Sequence, residues 1–214
     1  MTNTGKTLRG CSVALCLLAT TGCAPTITRF DVLPVHVCEG TPLLVSWEAS
    51  GSPELTTAPA IQPLPGEPLR YQATEDTVFT LRVSRWPYQN PQVSETEVVV
   101  HRTPPLVREP IAVQMQCEAG NSLVGTLSRP ATQWDPRIRL ETVASDGARQ
   151  LTVEHEARTA TLTKAAPSSN ALQGTTMAGT WKVTTPLGAN ERCGDPAAAP
   201  PARIILNATF MCAR

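Results

Sequence analysis

Along most of this chain apolar and polar residues alternate with a period of two. Leu43, Val45 and Trp47 fall on one side of their run, and Ser46 and Glu48 on the other. Phe79, Leu81 and Val83 form a second such set, and Thr96, Val98 and Val100 a third, set against Glu95, Glu97 and His101. Successive side chains of a strand point to opposite faces, so each run predicts a strand with one buried face. Between the runs stand Cys38-Glu39-Gly40-Thr41-Pro42, Ser50-Gly51-Ser52-Pro53, Leu64-Pro65-Gly66 and Trp86-Pro87, all turn material. The pattern continues through the second half. Ile111, Val113, Met115 and Cys117 share a face; so do Ile138, Leu140 and Thr142. Leu151 with Val153, Ala160 with Leu162, and Trp181 with Val183 make three shorter sets. The last run places Ile204, Leu206, Ala208 and Phe210 together. Short strands separated by turn signals predict an all-β protein of two consecutive β-sandwich domains.

The first eighty residues after the leader resemble bacterial immunoglobulin-like modules. The likeness rests on Ile27-Thr28-Arg29-Phe30, Glu39-Gly40-Thr41-Pro42, Val45-Ser46-Trp47-Glu48-Ala49-Ser50-Gly51 and the approach Thr74-Glu75-Asp76-Thr77 to Val78-Phe79-Thr80-Leu81. It implies a sandwich over 23–104 with Trp47 in its core, and it implies no activity, because such modules serve as spacers, adhesive units or docking surfaces. Thr103-Pro104-Pro105 is the expected boundary, since two prolines stiffen the exit from a strand. The second sandwich is then 105–214. Its stretch Ala178-Gly179-Thr180-Trp181-Lys182-Val183 resembles a strand of the jelly-roll modules appended to secreted proteases, without their acidic loop residues. Two segments, 165–178 and the Pro-rich 186–202, lack periodicity. They read as loops, either binding surface or disorder.

The N-terminus carries a different signal. Lys6 and Arg9 precede a short apolar run around Val13, Leu15, Leu17 and Leu18, and Thr20-Thr21-Gly22 follows. Basic, apolar and small in that order is a secretory signal peptide over 1–22. The run is far short of the roughly 20 residues that span a bilayer. Gly22-Cys23 resembles the end of a bacterial lipobox, although Thr20 stands where that family usually has Leu. The resemblance implies cleavage before Cys23 and its modification by diacylglycerol and acyl chains such as palmitate, with attachment to the membrane. Ala24 in the next position implies sorting to the outer membrane. Ordinary cleavage to a soluble secreted or periplasmic product is the competing reading.

Charge and composition narrow the function. Without Lys6 and Arg9, 16 basic residues face 18 acidic ones, so nothing points to nucleic acid. Proline, with 20 residues, is about twice its usual share, which disfavours long helices. The chain has no G-x-S-x-G, H-E-x-x-H, P-loop or G-x-G-x-x-G motif, so no cofactor is implied. The histidines, His36, His101 and His155, are far apart in sequence. Glu154-His155-Glu156 is a local acid–imidazole cluster, but a strand sends its imidazole away from its carboxylates, so it reads as a solvated edge and no metal is expected. Asp135 beside Arg137 and Arg139 reads as charged surface by the same logic.

Beyond the leader's Cys11 and Cys16 and the candidate lipid site Cys23, four cysteines remain: Cys38, Cys117, Cys193 and Cys212. An even number without a CxxC pair suits disulfides in an oxidising compartment. Three pairings are open. The immunoglobulin-like topology implies that the turn at Cys38 faces the second sandwich, which favours Cys38 with Cys117 and leaves Cys193 for Cys212. For binding, Trp86 and Tyr88 in the proline-stiffened turn are the surface candidates, unless Trp86 folds back over the sandwich end. The expectation is a non-catalytic cell-envelope lipoprotein that binds or spaces an envelope protein or glycan. The alternative is an anchored or secreted hydrolase, or an enzyme-associated domain, with a site in the second sandwich around His155 or Asp135.

Overall fold

The computed structural model describes residues 24–86, 88–101, 107–118 and 121–213. The first half contributes eight strands: β1 (Thr26–Leu33), β2 (His36–Cys38), β3 (Pro42–Ser50), β4 (Ser52–Ala58), β5 (Pro63–Leu64), β6 (Arg70–Gln72), β7 (Thr77–Arg85) and β8 (Tyr88–His101). They form two open sheets, ordered β1-β3-β6-β5 and β2-β8-β7-β4. Between them lie Val32, Leu43, Val45, Tyr71, Phe79 and Val98, all buried. The alternation seen in sequence is the cause. Phe79, Leu81 and Val83 are fully buried, while Arg82 and Ser84 between and beyond them are exposed. Trp47 is half-buried and packs at the rim of this core, not at its centre.

The second half contributes nine strands. They are β9 (Val107–Gln114), β10 (Gln116–Glu118), β11 (Ser122–Arg129), β12 (Ile138–Ala144), β13 (Leu151–His155), β14 (Arg158–Leu162), β15 (Ser168–Ser169), β16 (Gly179–Pro186) and β17 (Arg203–Cys212). Their sheets are ordered β10-β11-β16-β13-β14 and β15-β12-β17-β9. The all-β expectation therefore holds: the described residues form four open sheets and no α-helix, consistent with two sandwiches. None of their elements is a helix long and apolar enough to cross a membrane.

Three details depart from the sequence pattern. A β-bulge between Leu140 and Thr142 shifts the parity of β12, so Val143 and not Thr142 turns inward after Leu140. Cys117 lies on short β10 at the sheet edge and is exposed, unlike Ile111 and Val113. The segment 165–178 is not a loop on the surface. It sends Leu172 and Met177 into the core, and Gly174 and Thr175 exchange backbone hydrogen bonds with Leu140. Two apolar anchors thus replace the missing periodicity.

The halves are joined through β2. On one side β2 pairs in parallel with β8, His36 opposite Val99 and Cys38 opposite His101. On its other side the backbone of 133–135 runs alongside: Val35 N donates to Gln133 O (3.1 Å), and Asp135 N donates to His36 O (2.8 Å). One short strand is hydrogen-bonded into both sandwiches.

Candidate functional site

Three places hold the polar or exposed groups from which a function could be built. They are the junction at β2, the hairpin end at His155, and the tip between β7 and β8.

The junction is the densest. Trp134 stacks on His36 with ring centroids 3.9 Å apart and planes 12° from parallel. His101 lies stacked beyond His36 at 5.7 Å. Phe210 closes the group edge-on to His101 (4.9 Å) and to Trp134 (6.1 Å). Arg129 sits 5.0 Å above the Trp134 ring, a cation over a π face, and is held by Glu109 at 2.6 Å. His36 Nδ1 and His101 Nε2 are buried with no hydrogen-bond partner among the described residues. Burial, aided by the Arg129 charge, pushes the His36 imidazole down to about 4. Burial also lowers His101, helped by His36 and opposed by Glu109 and Asp76. Both rings are therefore neutral packing groups near neutral pH.

Asp135 fastens the same junction. Only 2% of it is exposed. Its carboxylate accepts from Cys38 N (3.1 Å), from the Thr41 hydroxyl, from Arg137 N (2.8 Å) and from the Arg137 guanidinium (3.0 Å). Arg137 in turn donates to Cys38 O (3.3 Å) and to the Thr41 hydroxyl. Burial alone would raise this carboxyl; the donors outweigh it and hold the group below the ordinary carboxylate range. The charged-surface reading of Asp135 is thus corrected. The order Trp134-Asp135-Pro136-Arg137 looks like an exposed turn, but the turn caps β2 of the other sandwich.

The disulfides complete the frame. Cys38 bonds Cys212, and Cys117 bonds Cys193. Cys38 does cross the junction, but to the end of β17 and not to β10. The bulged β12 and long β17 bring residue 212 beside His101, whose carbonyl lies 3.4 Å from Cys212 Sγ. Cys117 is left to tie the Pro-rich segment 186–202 down, assisted by the Arg149–Glu191 ion pair. All four candidate cysteines are thus used in disulfides, but in a different pairing from the expected Cys38–Cys117 and Cys193–Cys212.

At the hairpin end, His155 is buried, not solvated. Its ring stacks on Trp181 at 4.1 Å, with Nδ1 3.0 Å from Thr180 O and Nε2 2.8 Å from Thr176 O. Gly179, at φ +105°, makes room: a Cβ there would stand 3.3 Å from the imidazole Cε1. Glu154 faces solvent and His155 turns into the core with Val153, as alternation along β13 requires, but Glu156 lies beyond the strand in the turn, at φ +47°. A shallow groove at this end is lined by Glu154, His155, Arg158, Thr159 and Lys182. Each imidazole nitrogen faces a backbone carbonyl, so the ring reaches the groove by its edge and not by a nitrogen. Among the described residues no group of three or more His, Cys, Asp or Glu side chains could hold a metal ion.

At the tip, Trp86 is 92% exposed. It stands free at the end of the β7–β8 hairpin, where Arg85 pairs with Tyr88. Pro87 and the side chain of Tyr88 lie outside the described residues, as do the leader 1–22, Cys23 and the Thr103-Pro104-Pro105 boundary. Comparison with family models, with curated proteins and with solved structures finds no match.

Proposed function

We propose that this protein is a non-catalytic lipoprotein of the cell envelope, held in the membrane by acylated Cys23 and working as a binding or structural module. The observation that carries the reading is how the reactive side chains are used. His36, His101, His155, Asp135 and Arg137 are all committed to packing or to hydrogen bonds that join strands. Two disulfides fit an oxidising compartment outside the cytoplasm. Signal peptide, Gly22-Cys23 and the pairing of all four later cysteines leave Cys23 as the one mature cysteine for lipid. Diacylation or triacylation would make the attachment stable.

The experiment is intact mass of the protein taken from the membrane fraction, beside a Cys23→Ala variant. The expected result is a mature chain starting at Cys23 with added diacylglycerol, and loss of the variant from the membrane. An unmodified N-terminus would overturn the anchor. Turnover of a peptide, glycan or ester that survives rigorous purification would overturn the non-catalytic reading.

A further inference from the structure

We propose that Trp86 inserts into the phospholipid headgroup layer to which Cys23 is anchored, so that the first sandwich stands on the membrane through two points. The inference rests on the lipid anchor proposed above. What adds to it is where the fold puts the tip. Thr26 pairs with Ser50 and Ser52 pairs with Ser84, so the start of β1, the β3–β4 turn and the end of β7 lie at one end of the sandwich. Gly51 makes that turn at φ +132°, where a Cβ would strike Ser84 O at 2.6 Å. Ile27 N donates to the Gln92 side chain at 2.9 Å, and Gln92 pairs with Val83. Trp86 follows directly on Arg85, the last residue of β7, in the turn at that same end. Cys23 lies four residues before Ile27 and reaches at most about 14 Å. The indole therefore stands at the end of the sandwich from which the chain runs back to Cys23, within reach of the surface that would hold the lipid.

The chemistry of this end fits a headgroup surface. Segments 24–28, 49–53 and 83–94 contain no Asp or Glu, and Arg85 is their one charged residue. The opposite end carries Glu39, Glu75 and Asp76, with Asp76 accepting from Val100 N at 2.7 Å. An indole is an apolar body with one donor, the pattern that favours the membrane–water interface. A cation beside it gains from anionic lipid, whereas carboxylates would be repelled. Val93, 54% exposed, adds apolar surface on the same hairpin.

The test uses protein isolated from its own envelope, with its mass recorded, and reconstituted in phosphatidylethanolamine–phosphatidylglycerol vesicles. Some of the vesicle lipid is brominated near the glycerol end of its acyl chains. Subtracting the emission of a Trp86→Phe variant isolates Trp86 from Trp47, Trp134 and Trp181. The expected result is a Trp86 component that shifts to the blue, is quenched by the brominated lipid, and is shielded from aqueous acrylamide. An acylated protein whose Trp86 emits at the solvent-exposed wavelength and stays open to acrylamide would overturn the docking and leave the anchor standing. A mass without lipid would overturn both.

Discussion

The two sandwiches have the same layered plan but hold together by different means. The first has a thin core, with Phe79 and Tyr71 in edge contact (5.3 Å) among small aliphatics such as Val32, Val45 and Val98. It has no disulfide of its own. The second buries Trp181, Phe210, Ile138, Leu140 and Leu172 completely, and both disulfides end in it. The difference teaches that the first sandwich draws stability from outside itself. Its β2 strand, Cys38 and His36 are packed, bonded or stacked against the second. The second encloses its own apolar core and needs less from its neighbour.

The sharpest way to break this comparison is to open each core in turn. Phe79→Ala and Trp181→Ala should each cost about 3–5 kcal/mol, the usual cost of removing a buried aromatic. Loss of Phe79 should melt the first sandwich and spare hydrogen-exchange protection in β16 and β17. Loss of Trp181 should release both, because the seat for β2 goes with it. Equal loss of protection across both halves in both variants would show that the asymmetry is absent.

Asp135→Ala should follow, at about 3 kcal/mol, because it leaves Arg137 and the Cys38 N–H without their buried partner. Urea melts would show it as an earlier transition in the first sandwich. Opening Cys38–Cys212 by paired Ser substitutions should cost about 2–4 kcal/mol, the usual contribution of a disulfide. With native protein and a mild reductant, Cys117–Cys193 should open first, since both its residues are exposed while Cys38 and Cys212 are buried. Timed alkylation and peptide mapping would reveal the order.

Acid should act at the junction next. The unfolded chain protonates His36 near 6.5, the folded one near about 4. Unfolded protein therefore binds more protons in that window, and stability, complete above it, should fall by on the order of 2–3 kcal/mol as the pH drops through it. The lowered His101 works in the same direction, and the depressed Asp135 carboxyl withdraws its own contribution at more acid pH still. Melting temperature against pH for the wild type and a His36→Phe variant, which keeps a ring on Trp134, should show the slope flattened. The smallest effect should be Trp86→Ala, within about 0.5 kcal/mol because the side chain is exposed.

The fold was readable wherever alternation was clean. Leu43 and Val45, Phe79 to Val83 and the whole of β17 face as their pattern says. Reading failed where one residue broke the count or where the partner was remote. The bulge in β12 gave no signal beyond Thr142 itself, a polar residue at an inward position. Asp135 and His36 are ordinary in their own neighbourhoods; only the approach of 133–135 to β2 gives them meaning. His155 shares the inward parity of Leu151 and Val153, a signal that was present and outweighed by its flanking glutamates. The disulfide pairing could not be read, because four cysteines permit three pairings and the chain course alone selects one.

Cys38–Cys212 also sets how far the protein can be stretched. A pull between the N-terminus and the second sandwich does not travel along the chain to residue 107. It leaves β1, passes Cys38 and enters β17 through the sulfurs. Residues 39–101 hang inside a covalent ring and bear none of it. Even with the first sandwich fully unravelled, only 24–38 can extend, giving a leash of roughly 50 Å in place of the roughly 270 Å that 24–101 would provide. The second sandwich is thereby kept within a fixed radius of residue 24, and reduction of one buried bond would let that radius grow about fivefold.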